Sequence, residues 1–168
     1  MLSIVTEPNR AVRGLRPGSF EDFFQLQHDA VYRPLSVSLR DAGLAREATD
    51  EAFVRAYERW ETVKGYDNPT GWVYRVALNW ARSRLRRRRF EVVAAVPERD
   101  TYRSGFDPDL DQALKRLPLD DRALVVLKHL AGWTYEEIAE ALGMKAGTVK
   151  SRLHRILSDL RTVLEVRS

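Results

Sequence analysis

The stretch from Trp133 to Leu160, WTYEEIAEALGMKAGTVKSRLHRILSDL, leaves this chain little freedom of local structure. Thr134 followed by Glu137 is a capping box: the Thr side chain accepts from the N–H at the third helical position, and the Glu carboxylate reaches back to the cap N–H. Ile138, Ala139 and Leu142 then recur at helical spacing, and Gly143 supplies the backbone freedom that ends a helix. A second helix begins three residues later, with Val149, Leu153, Ile156, Leu157 and Leu160 on one stripe, the side expected to be buried. Its other side carries Gly147, Ser151, His154, Arg155 and Ser158, flanked by Lys150 and Arg152, which are donors of the kind that reach phosphates and base edges. Helix, short Gly-containing turn and helix with a basic outer face make a helix-turn-helix, whose second helix enters the major groove. On this stretch alone, a helical hairpin with a solvated basic face has the same pattern.

Charge placement favours the nucleic-acid reading. The chain has a formal net charge of +4 and a pI near 9.6, which suits a polyanionic partner. Six arginines fall within residues 82–89, RSRLRRRR, whereas residues 91–111 hold six acids against two arginines. With 168 residues, 44% hydrophobic and 31% charged, the chain reads as one ordinary domain or two small ones.

Other function classes lose their chemistry here. The chain has no cysteine, and His28, His129 and His154 lack ligand spacing, so no metal and no cofactor are expected. There is no phosphate-cradling glycine loop and no pair of carboxylates in an apolar setting, so no enzyme is expected. Without an apolar run of about 18 residues or a signal-peptide plan, the chain is expected to be cytoplasmic, with no membrane insertion.

Residues 1–18 read as a flexible lead-in rich in Gly and Pro. From Ser19, an N-cap with Asp22 at the third position, Phe20, Phe23, Phe24, Gln27, Val31 and Leu35 mark an amphipathic helix that Pro34 is placed to bend. Leu44–Trp60 puts Ala45, Ala48, Ala52, Phe53, Ala56, Tyr57 and Trp60 on one side. Glu47, Asp50, Glu51 and Glu58 line another, either a solvated face or a docking surface for a basic partner. Residues 61–68 read as a loop, after which Asn68 caps a helix opened by Pro69. In it Val73, Val76, Ala77 and Trp80 point one way, and Arg75, Asn79, Arg82 and Arg86 another. The arginine tail exceeds what a helix C-terminus needs and suits phosphate neutralisation. Residues 90–109 read as an acidic linker, LDQALKRLP as a short helix stopped by Pro118, and LDDRALVVLKHLAG as a helix with Leu124, Leu127 and Leu130 in the core. The expected fold is all-α, with two small helical domains, 19–89 and 110–168, joined by a flexible linker; the C-terminal one is the helix-turn-helix. Domains this small bury only about 60% of their unfolded surface, so partners should matter to their stability.

EATDEAFVRAYERW, NPTGWVYRVALNWARSRLRRRR, LP and YEEIAEALGMKAGTVKSRLHRIL occur here in the order in which similar segments occur in extracytoplasmic-function sigma factors. The resemblance spans nearly all of 19–165 and is to the minimal members that keep regions 2 and 4. It implies a specificity subunit that binds bacterial core RNA polymerase, through the β′ clamp helices and the β subunit, and promoter DNA; an anti-sigma factor is a further partner it allows. Glu47, Asp50 and Glu51 match the helix that docks on the clamp. The loop at 61–70 and the following helix resemble the part that opens and reads the −10 element, with Trp60, Tyr66, Trp72, Arg75, Asn79, Arg82 and Arg86 as its candidates. Lys150, Ser151, Arg152, His154 and Arg155 match the helix that reads the −35 element. The acidic linker resembles the segment that threads toward the polymerase active-site cleft and RNA exit path. Two positions depart from the family pattern: Ser83 stands where an aspartate is usual, and Asp50 where a glutamine is common. The competing reading is a helix-turn-helix transcriptional regulator whose residues 19–89 form a dimerisation or sensing domain; it would need a ligand pocket or a self-complementary apolar face there.

Overall fold

In the computed structural model, which describes residues 18–91 and 105–167, Ser19 Oγ accepts from Asp22 N (3.1 Å) and starts helix α1, Phe20–Leu39. The helix passes through Pro34 and stops at Arg40, whose backbone is left-handed (φ 55°) and whose N–H closes on Ser36 O at 2.9 Å. Asp41 Oδ1 then accepts from Leu44 N (2.8 Å) and opens α2, Ala42–Glu58. A single turn, α3 (Trp60–Val63), follows where a continuous loop is expected from the sequence. Asn68 Oδ1 accepts from Gly71 N (2.8 Å) at the head of α4, Pro69–Glu91, which runs two residues past the expected domain end.

The C-terminal unit holds α5 (Pro108–Arg116), α6 (Leu119–Val125), a π-helical turn over Val126–Leu130, α7 (Tyr135–Leu142) and α8 (Ala146–Arg167). The sequence predicts one uninterrupted helix where α6 and the π turn lie. The ladder widens there, with Ala131 N donating to Val126 O at 2.9 Å, and the consecutive residues Ala123–Leu127 are all buried. Regular structure among the described residues is helical throughout. The expected lead-in and most of the expected linker, residues 1–17 and 92–104, lie outside the described residues.

The two units share one core. Helix α4 packs on α1 and α2 through Val73 and Ala77, as its apolar stripe predicts, and a buried Thr70 hydroxyl donates to Gln27 Oε1 on α1 (3.1 Å). Tyr74, Leu78 and Ala81 of α4 are buried too, although they lie off the predicted stripe, because α4 also packs against α7. Trp133, in the loop before α7, meets Tyr74 edge to face with centroids 5.6 Å apart, and both rings are buried. Polar ties surround this contact. Arg122 Nε on α6 donates to Ser38 O at the end of α1 (2.6 Å), and the buried Arg40 guanidinium makes two bonds to Asp111 on α5 (2.9 and 3.1 Å).

Candidate nucleic-acid interface

Helices α7 and α8 form the expected helix-turn-helix. Thr134 Oγ1 accepts from Glu137 N (3.1 Å) while Thr134 N donates to Glu137 Oε2 (2.7 Å), completing the capping box. Gly143 ends α7 in the left-handed region (φ 65°), and Met144 N donates back to Ala139 O at 2.8 Å. Val149, Leu153, Ile156 and Leu160 of α8 are buried and Leu157 is half-buried, so the opposite face is set as the sequence predicts. Lys150, Ser151, His154 and Arg155 stand exposed on it, four side chains over less than two turns. Arg152 does not join them. Its guanidinium turns back to α6 and pairs with Asp121 Oδ1, from Nε at 2.8 Å and from Nη2 at 2.6 Å.

The aromatic–basic face of α4 is divided. Tyr66 and Trp72 lie with ring centroids 6.2 Å apart and line an open cleft of about 380 Å³ with Asp67, Asn68 and Arg75. Two stacking rings, an amide and a guanidinium around a space of that size suit an unpaired nucleobase and its phosphate. Asn79 is exposed further along the helix, and its carbonyl accepts from Arg82 Nη1 (3.0 Å); Arg86 bonds Ser83 Oγ at 3.3 Å. Trp60, expected with this group, belongs elsewhere: it packs against Phe20 (5.6 Å) and Phe23 (5.1 Å) in the aromatic core between α1 and α3. That placement agrees with its position on the apolar side of the Leu44–Trp60 pattern and not with its grouping among the −10 candidates.

The acidic residues of α2 form a third surface. Glu47 and Asp50 are exposed, and Glu51 is half-exposed and paired with Arg55 (2.9 Å). Asp50 Oδ1 lies 3.2 Å from His28 Nε2 on α1. Around this seam Phe24, Val54 and Tyr57 are exposed apolar residues, Tyr57 at 62%. The sequence pattern put Tyr57 in the core; its ring instead leans on Phe20 (5.1 Å) and leaves most of its surface outside. Phe24, Val54 and His28 were not among the expected site residues. Large apolar side chains beside a row of acids were the available signal.

Two groups have displaced proton affinities. Burial pushes the Tyr74 phenol up to about 12, beside Ser38 Oγ, which itself donates to Pro34 O (2.7 Å). Partial burial, with Lys128 next to it, lowers His129 below the usual histidine value. Among the described residues no cluster of His, Cys, Asp or Glu is arranged to hold a metal, and no helix is long and apolar enough to cross a membrane.

The comparisons with known proteins follow the same division of the chain. Residues 23–91 match the family described as Sigma-70 region 2, and residues 108–160 match Sigma-70, region 4. The RNA polymerase sigma-E factor of Streptomyces coelicolor is 34% identical over 157 residues, which cover 88% of this chain and 87% of that protein. The ECF RNA polymerase sigma factor SigE of Mycolicibacterium smegmatis is 35% identical over 164 residues, covering 87% of this chain and 62% of that one. A solved structure of the sigma factor RpoE, in complex with the anti-sigma factor NepR from Bartonella quintana, shares the fold with a TM-score of 0.70 at 24% identity, covering 89% of this chain and 98% of that one. With both sigma-70 regions in order and a relative matched along nearly all of its length, the chain belongs to the extracytoplasmic-function RNA polymerase sigma factors.

Proposed function

We propose that this chain directs promoter-specific initiation through three separate surfaces, acting in the cytoplasm as a non-enzymatic subunit without cofactor or metal. Residues 19–89 serve as region 2. There the acids Glu47, Asp50 and Glu51, with the apolar seam of Phe24, Val54 and Tyr57, dock on the β′ clamp helices of core polymerase. Apolar contact supplies burial, and the acids set orientation against a basic or polar groove. Tyr66, Trp72 and Arg75 take an unpaired base of the −10 element, with Asn79, Arg82 and Arg86 following the strand. Residues 110–168 serve as region 4, contacting the β subunit and the −35 element. Ser151, His154 and Arg155 read bases there, Lys150 holds phosphate, and Arg152 holds the helix to α6 through Asp121. An anti-sigma factor is a further partner of the same surfaces.

The observation that carries this reading is the exposed row Lys150, Ser151, His154 and Arg155 on a helix whose other side is sealed in the core. Run-off transcription with bacterial core polymerase on a promoter library tests it. Transcripts from a discrete promoter class, dependent on this chain, are the expected result. Binding of the chain to duplex DNA as a dimer, with no transcript from core polymerase, would favour the regulator reading instead.

A further inference from the structure

Two of the three docking acids have a cation beside them, and the two cations differ in kind. Glu51 is paired with Arg55, one turn along α2, at 2.9 Å. An arginine keeps its charge at every physiological pH, so that pair is fixed. Asp50 is paired across the helix seam with His28 of α1, Nε2 to Oδ1 at 3.2 Å. Histidine is the side chain whose charge ordinarily changes between about pH 5 and 8. The net charge that this face shows therefore depends on the state of one imidazole.

The ring is held for that contact. Its centroid lies 5.0 Å from Phe24 on its own helix and 5.6 Å from Phe53 on α2, and Tyr32 is stacked with it at 6.3 Å. The His28 side chain is 25% exposed against 59% for Asp50, so the imidazole lies mostly inside the seam and the carboxylate mostly outside. A carboxylate can only accept, so the neutral ring carries its proton on Nε2 and donates to Asp50. A second proton then adds at Nδ1, which lies 3.7 Å from Asp29 Oδ1. The charged groups about the ring are Asp29 with its neighbour Arg33 (3.6 Å) on α1, and on α2 Asp50, together with Arg46, whose guanidinium lies over the Tyr32 ring at 5.8 Å. Phe24, four positions before His28, and Val54, four after Asp50, are exposed apolar residues, so the pair borders the apolar part of the docking seam.

We propose that His28 is a positioning residue for core docking: it aims the Asp50 carboxylate from the neighbouring helix and, on gaining a proton, cancels that carboxylate's charge, so that assembly with core polymerase weakens as pH falls. The inference rests on the assignment of the α2 acids to the β′ clamp helices made above. With the ring neutral, Asp50 accepts one bond and keeps its charge toward the groove. With the ring protonated, Asp50 belongs to an ion pair, and the surface offers one net negative charge fewer to a basic partner.

The test is a fluorescence titration of the full chain, labelled at its N-terminus, with bacterial core polymerase at about pH 8 and about pH 6 and one ionic strength. Titration of core's own groups is common to every variant, so the quantity read is each variant's loss of affinity between the two pH values. The parent is expected to lose about three- to tenfold more than His28→Gln, as one screened unit charge predicts; glutamine keeps a donor but takes no proton. Asp50→Asn, at an exposed position, should remove the same increment, and the double variant should remove no more than either alone. A parent whose loss equals that of both variants overturns the proposal. So does a loss abolished by His28→Gln but untouched by Asp50→Asn, because the proton would then act on another group. Circular dichroism melts accompany each titration; if His28→Gln does not fold, Asp50→Asn decides, and a parent-like loss in it overturns the proposal. Reversal of Glu47 and Asp50 to lysine separates this inference from the docking assignment. If the reversal weakens core binding while the pH losses of parent and variants stay equal, the docking surface stands and the role of His28 falls; if the reversal leaves core affinity unchanged, both fall.

Discussion

Replacing Arg152 with alanine should destabilise the protein, whereas replacing Arg155, three residues along the same helix, should alter promoter choice and leave stability alone. The Arg152 side chain is 32% exposed and its partner Asp121 is 16% exposed, so the pair lies between a solvated surface bridge and a sealed one. Exposed pairs contribute about 0–1 kcal/mol, and removing one partner of a buried pair costs about 3–5. Asp121 also lies in the first turn of α6, where the helix dipole softens the loss of its cation. These considerations put the cost of Arg152→Ala near 1.5–2 kcal/mol, or a fall in Tm of about 3–8 °C for a chain of this size. Arg155 is exposed on the outer face, so Arg155→Ala should shift stability by no more than about 0.5 kcal/mol. It should, however, cost about 1–3 kcal/mol of discrimination at one or two −35 base pairs. Thermal unfolding by circular dichroism and holoenzyme binding to matched and mutated promoters measure the two effects, and an Asp121→Ala cycle isolates the pair. An unchanged Tm for Arg152→Ala, with a salt slope smaller by about one unit, would return Arg152 to the DNA and refute this division of the helix.

Reversing Glu47 and Asp50 to lysine should weaken assembly with core polymerase by several kcal/mol without lowering Tm, read in a core-binding titration beside a melt. Arg75→Ala with Asn79→Ala should reduce promoter opening more than initial closed binding; permanganate reactivity of the bubble equal to that of the unaltered protein would remove this face as the −10 reader. The Tyr74 phenol, held protonated by burial with its pKa pushed up to about 12, gives a pH signature. An unfolded tyrosine ionises near pH 10, so the stabilising difference is complete below pH 10 and is lost, by up to about 2.7 kcal/mol, as pH rises through 12. Denaturant unfolding of Tyr74→Phe should lack that extra slope against the parent over the same window.

The parts legible in the sequence are those whose causes are local. Ser19, Asp41, Asn68, Asp107 and Thr134 each accept at a helix start, and three of these were signalled by residue type and spacing alone. The exposed row on α8 was legible for the same reason, since one buried stripe sets the angle of every other side chain on that helix. Periodicity failed where a second neighbour intervened. Tyr74, Leu78 and Ala81 carry no signal beyond their types, and their burial depends on a unit more than forty residues away. Arg152 looked like its basic neighbours until Asp121, thirty-one positions earlier, claimed it. Of the two rings that the spacing placed on the apolar side, Trp60 packs against Phe23 as that pattern expects, and Tyr57 stands mostly outside.

The make-up of the interface between the units bears on how it can open. A purely apolar contact would hold two small units strongly but leave large sticky surfaces when parted. Here the apolar contact, which includes Leu78 and Ala81 of α4 as well as Tyr74 against Trp133, is accompanied by ionic and polar ties: Arg40 with Asp111, Arg82 with Asp120, and Arg122 on backbone carbonyls. Buried ion pairs add little net stability because desolvation offsets their attraction, yet leaving one member unpaired is costly. Such pairs therefore fix the register of the closed state more than its depth. A closure of that kind tolerates no half-open arrangement in which the cations stay buried without partners.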